Sequence, residues 1–336
     1  MTYDALLVLS FGGPEGPDDV MPFLENVTRG RDVPRERLLE VAEHYHALGG
    51  VSPINAQVRA LIAALEPELR AHGCGLPIYW GNRNWHPMLE ATVAQMKRDG
   101  VKRALALVTS AWGSYSACRQ YLEDIAKARA AVGEGAPVID KIRPYFDSPG
   151  FLEAQADRVR DALGDRAGAR LVFTAHSIPL SMAKTSAYEA QLREAARIVA
   201  ELAGGGDDWD LVYQSRSGPP QVPWLEPDVL HALERYARED RARPIVLVPI
   251  GFTSDHVEVI WDLDHEAKAK AGELGLTLVR AGTVGTHPRF VRGLRELIEE
   301  RTIGAPPLGE AKRSLSVLGP LPDTCAATCC PPPAPR

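Results

Sequence analysis

No apolar run in the 336-residue sequence approaches the roughly 20 residues that span a bilayer. The longest, ALLVLSF and IVLVPIGF, have the length of β-strands, which excludes a transmembrane helix. No basic run interleaved with aromatic residues occurs. With a net charge of −6 and a pI near 5.9, a nucleic-acid partner is not expected. Cysteine is scarce: five in a chain of this size do not make a disulfide framework. Three of the five, Cys325, Cys329 and Cys330, nonetheless crowd together near the end of the sequence and need a separate explanation. The Gly-rich segment SFGGPEGP lacks the GxGxxG pattern, which argues against dinucleotide binding. Apolar residues begin almost at Met1, leaving no room for a signal peptide, so the expected location is the cytoplasm.

At 45% hydrophobic and 24% charged, the chain can bury a large core and is long enough for two domains. Apolar runs rich in β-branched residues alternate with amphipathic helical stretches, the pattern of parallel sheets with crossover helices. Strands are expected near 4–10, 76–81, 103–109 and 138–142 in the first half, and near 170–175, 210–215, 244–250 and 276–281 in the second. Four strands per half imply two similar open α/β sheets. Pro and Gly in PYFDSPG punctuate the break, which divides residues 1–145 from 146–287. A last amphipathic helix over 288–303 packs back on the first domain, and a Pro- and Cys-rich tail follows over 304–336.

The chemistry-bearing clusters follow strands, where open α/β sheets build their sites. PIGFTSDHVEVIWDLDHE turns at Gly251 and Thr253 and enters a helix, with Ser254 or Asp255 available as its N-cap. Glu258, Asp262 and Glu266 recur at i, i+4 and i+8, so three like charges share one stripe. Such a stripe is either a solvated acidic face or a site that handles cations or protons. His176, in LVFTAHSIP, ends the fifth strand; it is either a structural histidine or a proton acceptor whose basicity nearby carboxylates raise. Turn chemistry can explain Gly218, Pro219, Pro220 and Pro223 of YQSRSGPPQVPWLEPD without any function, a functional role being equally open, and WGNRNWHP either places polar groups beside an indole that flanks a planar ligand or simply buries its Trp.

Taken together, LSFGGPE, LGGVSPIN, TAHSIP, YQSRSGPPQVPWLEPDV and PIGFTSDHVEVIWDLDHE resemble the ferrochelatases, in family order across most of the chain, and most closely the actinobacterial-like members. The resemblance implies two flavodoxin-like domains of the type II chelatase kind with a porphyrin cleft between them. It implies insertion of ferrous iron into a porphyrin in heme biosynthesis, with coproporphyrin III favoured over protoporphyrin IX. On this resemblance His176 and Glu258 are the catalytic and metal-handling pair, and Asp262 and Glu266 continue a carboxylate path away from the ring. Phe11, Arg29, Arg31, Ser52 and Tyr121 occupy porphyrin-binding segments, Phe11 standing where relatives carry Tyr or Met and being unable to ligate iron. His44 stands where some relatives carry Arg near an outer metal site. Cys118, Cys325, Cys329 and Cys330 would supply the four thiolates of a 2Fe-2S cluster; an idle tail or a zinc site is the alternative, and Cys74 is structural. A peripheral contact with a membrane or another heme-pathway enzyme is compatible with the sequence. The rival functions are a tetrapyrrole carrier without catalysis and a chelatase for another ring such as sirohydrochlorin.

Overall fold

The computed structural model describes residues 2–30, 33–166, 168–302 and 312–332. Arg31, one of the expected porphyrin contacts, lies outside the described residues. All eight expected strands form: β1 (Ala5–Ser10), β2 (Ile78–Asn82), β3 (Arg103–Val108), β4 (Val138–Lys141), β5 (Arg170–His176), β6 (Trp209–Gln214), β7 (Ile245–Val248) and β8 (Leu278–Arg280). They make two four-stranded sheets of order β2-β1-β3-β4 and β6-β5-β7-β8, parallel throughout. The strand order is the same in both halves, and the two similar sheets implied by four runs per half are present.

The central strands are apolar over most of their length because helices cover both faces of each sheet. Every residue of β1 and of β7 is buried. Each fully buried Leu, Val or Ile contributes about 1.5–3 kcal/mol relative to exposure, so these strands are the best-anchored parts of the chain. In each sheet the chain leaves its first strand towards one edge and later returns to the other side, so the switch points lie between β1 and β3 and between β5 and β7. Crevices at the carboxyl ends of strands open at such points.

The two switch points are joined. The Trp112 indole, just past β3, donates to the Gly251 carbonyl at 2.9 Å, and Thr253 Oγ donates to the Thr109 carbonyl at 2.9 Å. Within the second half Gly251 lies tight against β5, where a Cβ would come 2.7 Å from Ala175 Cα. A second tie comes from Val257, which packs with Val20, Phe23, Leu38 and Tyr45 of the first half. The last helix, Pro288–Thr302, crosses Pro149–Leu163 where Gly150 meets Gly293, and it reaches the first half through an Arg295 Nε to Glu68 hydrogen bond of 2.9 Å.

Candidate active site

His176 is the last residue of β5, paired in register with Gln214 of β6. The strand end leaves its imidazole about one-third exposed, and its Nδ1 is close to the Ser177 carbonyl. With Nδ1–H donating to that carbonyl, Nε2 is left with its lone pair directed outward. Tyr188 Oη donates to the His176 carbonyl at 3.1 Å and fixes the backbone beneath the ring.

Glu258 arrives from β7. Its Oε2 lies 3.9 Å from His176 Nε2 and also 3.9 Å from Nδ1 of His256, so one carboxylate oxygen serves two imidazoles. Sequence reasoning passed over His256, although it stands in the quoted DHVEV segment. His256 is the extended residue (φ −145°, ψ 177°) just ahead of the helix that carries Glu258, a position that the expectation of a cap at Ser254 or Asp255 concealed. The helix in fact begins after His256, without a side-chain cap. Asp255 does not cap because Arg280 takes its carboxylate, with Nη1 at 3.1 Å from Oδ1, while its backbone N–H goes to Gln57 at 3.0 Å. Burial lowers the pKa of His256, with His176 adding to the effect and Glu258 opposing it. His256 is therefore held as a neutral partner to Glu258.

The carboxylate stripe also departs from the expected geometry, because residues Ile260–Ala267 form a π-helix. Such wide turns are uncommon and concentrate at functional sites. At roughly 4.4 residues per turn, residues four apart still stay within about 35° of one face. Glu258, Asp262 and Glu266 thus remain one ladder, from the His176 pair at one end to an exposed carboxylate at the other.

Asp262, the middle rung, is the most perturbed. Burial raises its pKa to about 7; hydrogen bonds from Ser215 and Gln214 favour the charged form, and the charges of Glu258 and Glu266 oppose it. Ser215 Oγ and Gln214 Nε2 both donate to Oδ2, the latter at 3.2 Å. Ser215 does so from a left-handed backbone conformation, φ 61°, that costs about 1 kcal/mol or more for a residue with a Cβ. The turn reading of YQSRSGPP did not anticipate a proton-handling partner there, because nothing in the residue types signals the positive φ.

Among the expected ring contacts, Phe11 follows β1, is 37% exposed and packs edge-on against Phe23. Ser52 is buried, its N–H donating to the Pro14 carbonyl at 2.8 Å. Arg29 is exposed at the end of the helix Val20–Val27. Tyr121 is buried beneath the Arg83 guanidinium, which lies 4.8 Å from its ring and 5.7 Å from that of Phe11. Arg83 Nε pairs with Asp124 at 3.0 Å. A buried cation therefore stands behind the Phe11 wall, between it and Tyr121.

The cysteines gather without closing on a centre. Cys118 is buried in the π-turn Tyr115–Arg119, and Cys329 Sγ lies 3.6 Å from Cys330 Sγ. Burial, with the neighbouring thiols adding to it, pushes Cys325 up to about 11 and Cys330 up to about 12. Cys118 contributes to both shifts, so the internal cysteine and the tail share one neighbourhood. Among the described residues no three His, Cys, Asp or Glu side chains converge at metal-ligating distance.

The family described as Ferrochelatase matches residues 3–302. The chain belongs to that family. It is 54% identical to the Ferrochelatase of Rhodopirellula baltica over 98% of this chain and 93% of that protein. It is 55% identical to the Coproporphyrin III ferrochelatase of Nocardia farcinica over 99% and 97% of the two chains. In fold it is similar to SirB from Bacillus subtilis with Fe3+, at a TM-score of 0.54 and 13% identity, covering 90% and 96%. The type II chelatase architecture is thus the one observed, and the protein is a metal chelatase.

Proposed function

We propose that this ferrochelatase inserts Fe(II) into coproporphyrin III at the His176–Glu258 pair. Metallation replaces two pyrrole N–H protons by one metal ion, so the site must accept two protons per turnover and strip water from the incoming iron. His176 Nε2 is oriented as a base by its Nδ1 hydrogen bond, and Glu258 stands at ion-pair distance to receive the proton. Asp262, poised near neutrality, and the exposed Glu266 give hard oxygen donors suited to ferrous iron and a route to solvent. Phe11 offers an apolar face for the ring, with Ser52 and Arg29 on the segments that would meet propionates. We take residues 1–145 and 146–287 as the two domains flanking the ring.

The observation that carries this reading is the shared 3.9 Å approach of His176 and His256 to one oxygen of Glu258, at the base of the carboxylate ladder. A carrier would need no base paired in this way. The choice of ring rests on the Nocardia farcinica relative and its 55% identity. Anaerobic initial rates with coproporphyrin III and protoporphyrin IX test it: the tetrapropionate ring is expected to be turned over faster by tenfold or more in kcat/KM. Equal rates, or a preference for protoporphyrin, would overturn the substrate assignment.

Four thiols match the donor number of a 2Fe-2S group, and the two whose pKa is raised, Cys325 and Cys330, would be relieved of that penalty by binding a cation as thiolates. Cys118, Cys325, Cys329 and Cys330 would hold it, and bound there it would supply a one-electron couple. Protein purified anaerobically is expected to show visible absorbance that is lost in Cys330→Ser. Colourless wild-type protein containing zinc would assign the site to a structural metal instead.

A further inference from the structure

At the outer end of the carboxylate ladder one aromatic group joins the two halves of the chain. Trp261, the second residue of the π-helix, stacks with His44 of the helix Arg35–Ala47, ring centroids 4.1 Å apart and planes within 10°. His265 stacks on the same indole at 5.2 Å and 16°. The indole Nε1–H is not free, since it donates to Glu266 Oε1 at 3.0 Å. The π-helix makes this last contact possible. In an α-helix residues five apart diverge by roughly 140°, whereas at about 4.4 residues per turn they lie within about 50° of one another.

We propose that Trp261 is a positioning residue for iron capture, holding Glu266 in the orientation in which it first meets Fe(II). The proposal rests on the reading of the ladder as the iron route. His44 fixes the plane of the indole from across the two halves, and the indole N–H then occupies one carboxylate oxygen and leaves the other free. A carboxylate so engaged binds a hard cation through a single oxygen. The hold is firm enough to displace water and weak enough to release the ion inward to Asp262. Glu266 unrestrained on an exposed turn would sample several rotamers and would be free to chelate with both oxygens. Arg37, Glu40 and Glu43 surround His44 from its own helix, and Glu266 faces it from the π-helix, so the stack sits in a mixed field at the edge of the iron route.

Steady-state metallation by the full-length protein under anaerobic conditions tests the proposal. Trp261→Phe keeps a smaller ring for His44 and removes the donor; it should raise the KM for Fe(II) by about fivefold to tenfold, while kcat and the KM for the porphyrin stay within twofold. Glu266→Gln should give a similar rise, and the double variant should be no worse than Glu266→Gln alone, because both remove one interaction. His44→Ala should raise the same KM and His44→Phe should recover most of the loss, a comparison that remains available if Trp261→Phe folds poorly. A wild-type KM for Fe(II) in Trp261→Phe, or effects that multiply in the double variant, would overturn the positioning role while leaving the iron route standing. A wild-type KM in Glu266→Gln would overturn the route and the proposal together. A lowered Tm with no change in KM would mark the stack as a structural tie only.

Discussion

His176→Ala is expected to lower kcat for metallation by about 10²–10⁴-fold, the range over which a positioned base contributes, while the porphyrin still binds. The imidazole is partly exposed and makes its hydrogen bond to its own neighbour's carbonyl, so the loss should cost little stability. Glu258→Gln should be comparably severe, because it removes the carboxylate charge that both His176 and His256 approach at 3.9 Å. The double variant should be scarcely worse than either single one, as expected of groups that act as a unit. Porphyrin fluorescence quenching on binding, measured beside turnover, separates the loss of chemistry from a loss of binding. A His176→Ala protein with near-normal kcat would remove the histidine from the reaction.

Asp262→Asn should separate stability from activity. The folded-state pKa of Asp262 is raised to about 7 by burial, above its value in the unfolded chain. The native state therefore favours the protonated acid. Stability from this group is present at low pH and is lost as pH rises from the unfolded value near 4 through about 7. The full penalty is on the order of 2–4 kcal/mol above neutrality. Asn mimics the neutral acid, so the variant should be more stable than the parent at pH 8 and nearly equal to it at pH 4.5, as read by denaturant midpoints. It should also lose the acidic limb of the pH profile near 7 and turn over several-fold more slowly. A variant less stable than the parent at pH 8 would contradict the buried, proton-binding character of this rung. Ser215, strained at φ 61° to donate to the same oxygen, fits a site where stability is given up for proton transfer.

Much of this organisation could be read from residue order. The strands were legible because IVLVPI or ALLVLS buried between two layers of helix has little other use, and both sheets formed with the pairing of β5 and β7 that the site needs. The carboxylate ladder was legible from the i, i+4, i+8 spacing, since that spacing survives the change from an α- to a π-helix. Three features were not legible. His256 enters the site through an extended residue just ahead of the helix, and helix boundaries are poorly encoded. The Ser215 hydrogen bond depends on a backbone conformation that its residue type disfavours. The His44–Trp261 stack joins residues more than 200 positions apart in sequence, and only the folding of both halves brings them together.

The central claim is that the protein itself performs metallation at the His176–Glu258 pair. Protein loaded with free-base coproporphyrin III under anaerobic conditions and given one equivalent of Fe(II) tests it most directly. The ring's visible spectrum and the protons released into a weakly buffered indicator solution are followed together. The account predicts that the free-base bands collapse into those of the metallated ring, with two protons released per iron consumed. A tightly bound ring whose free-base spectrum persists after iron is added would contradict it.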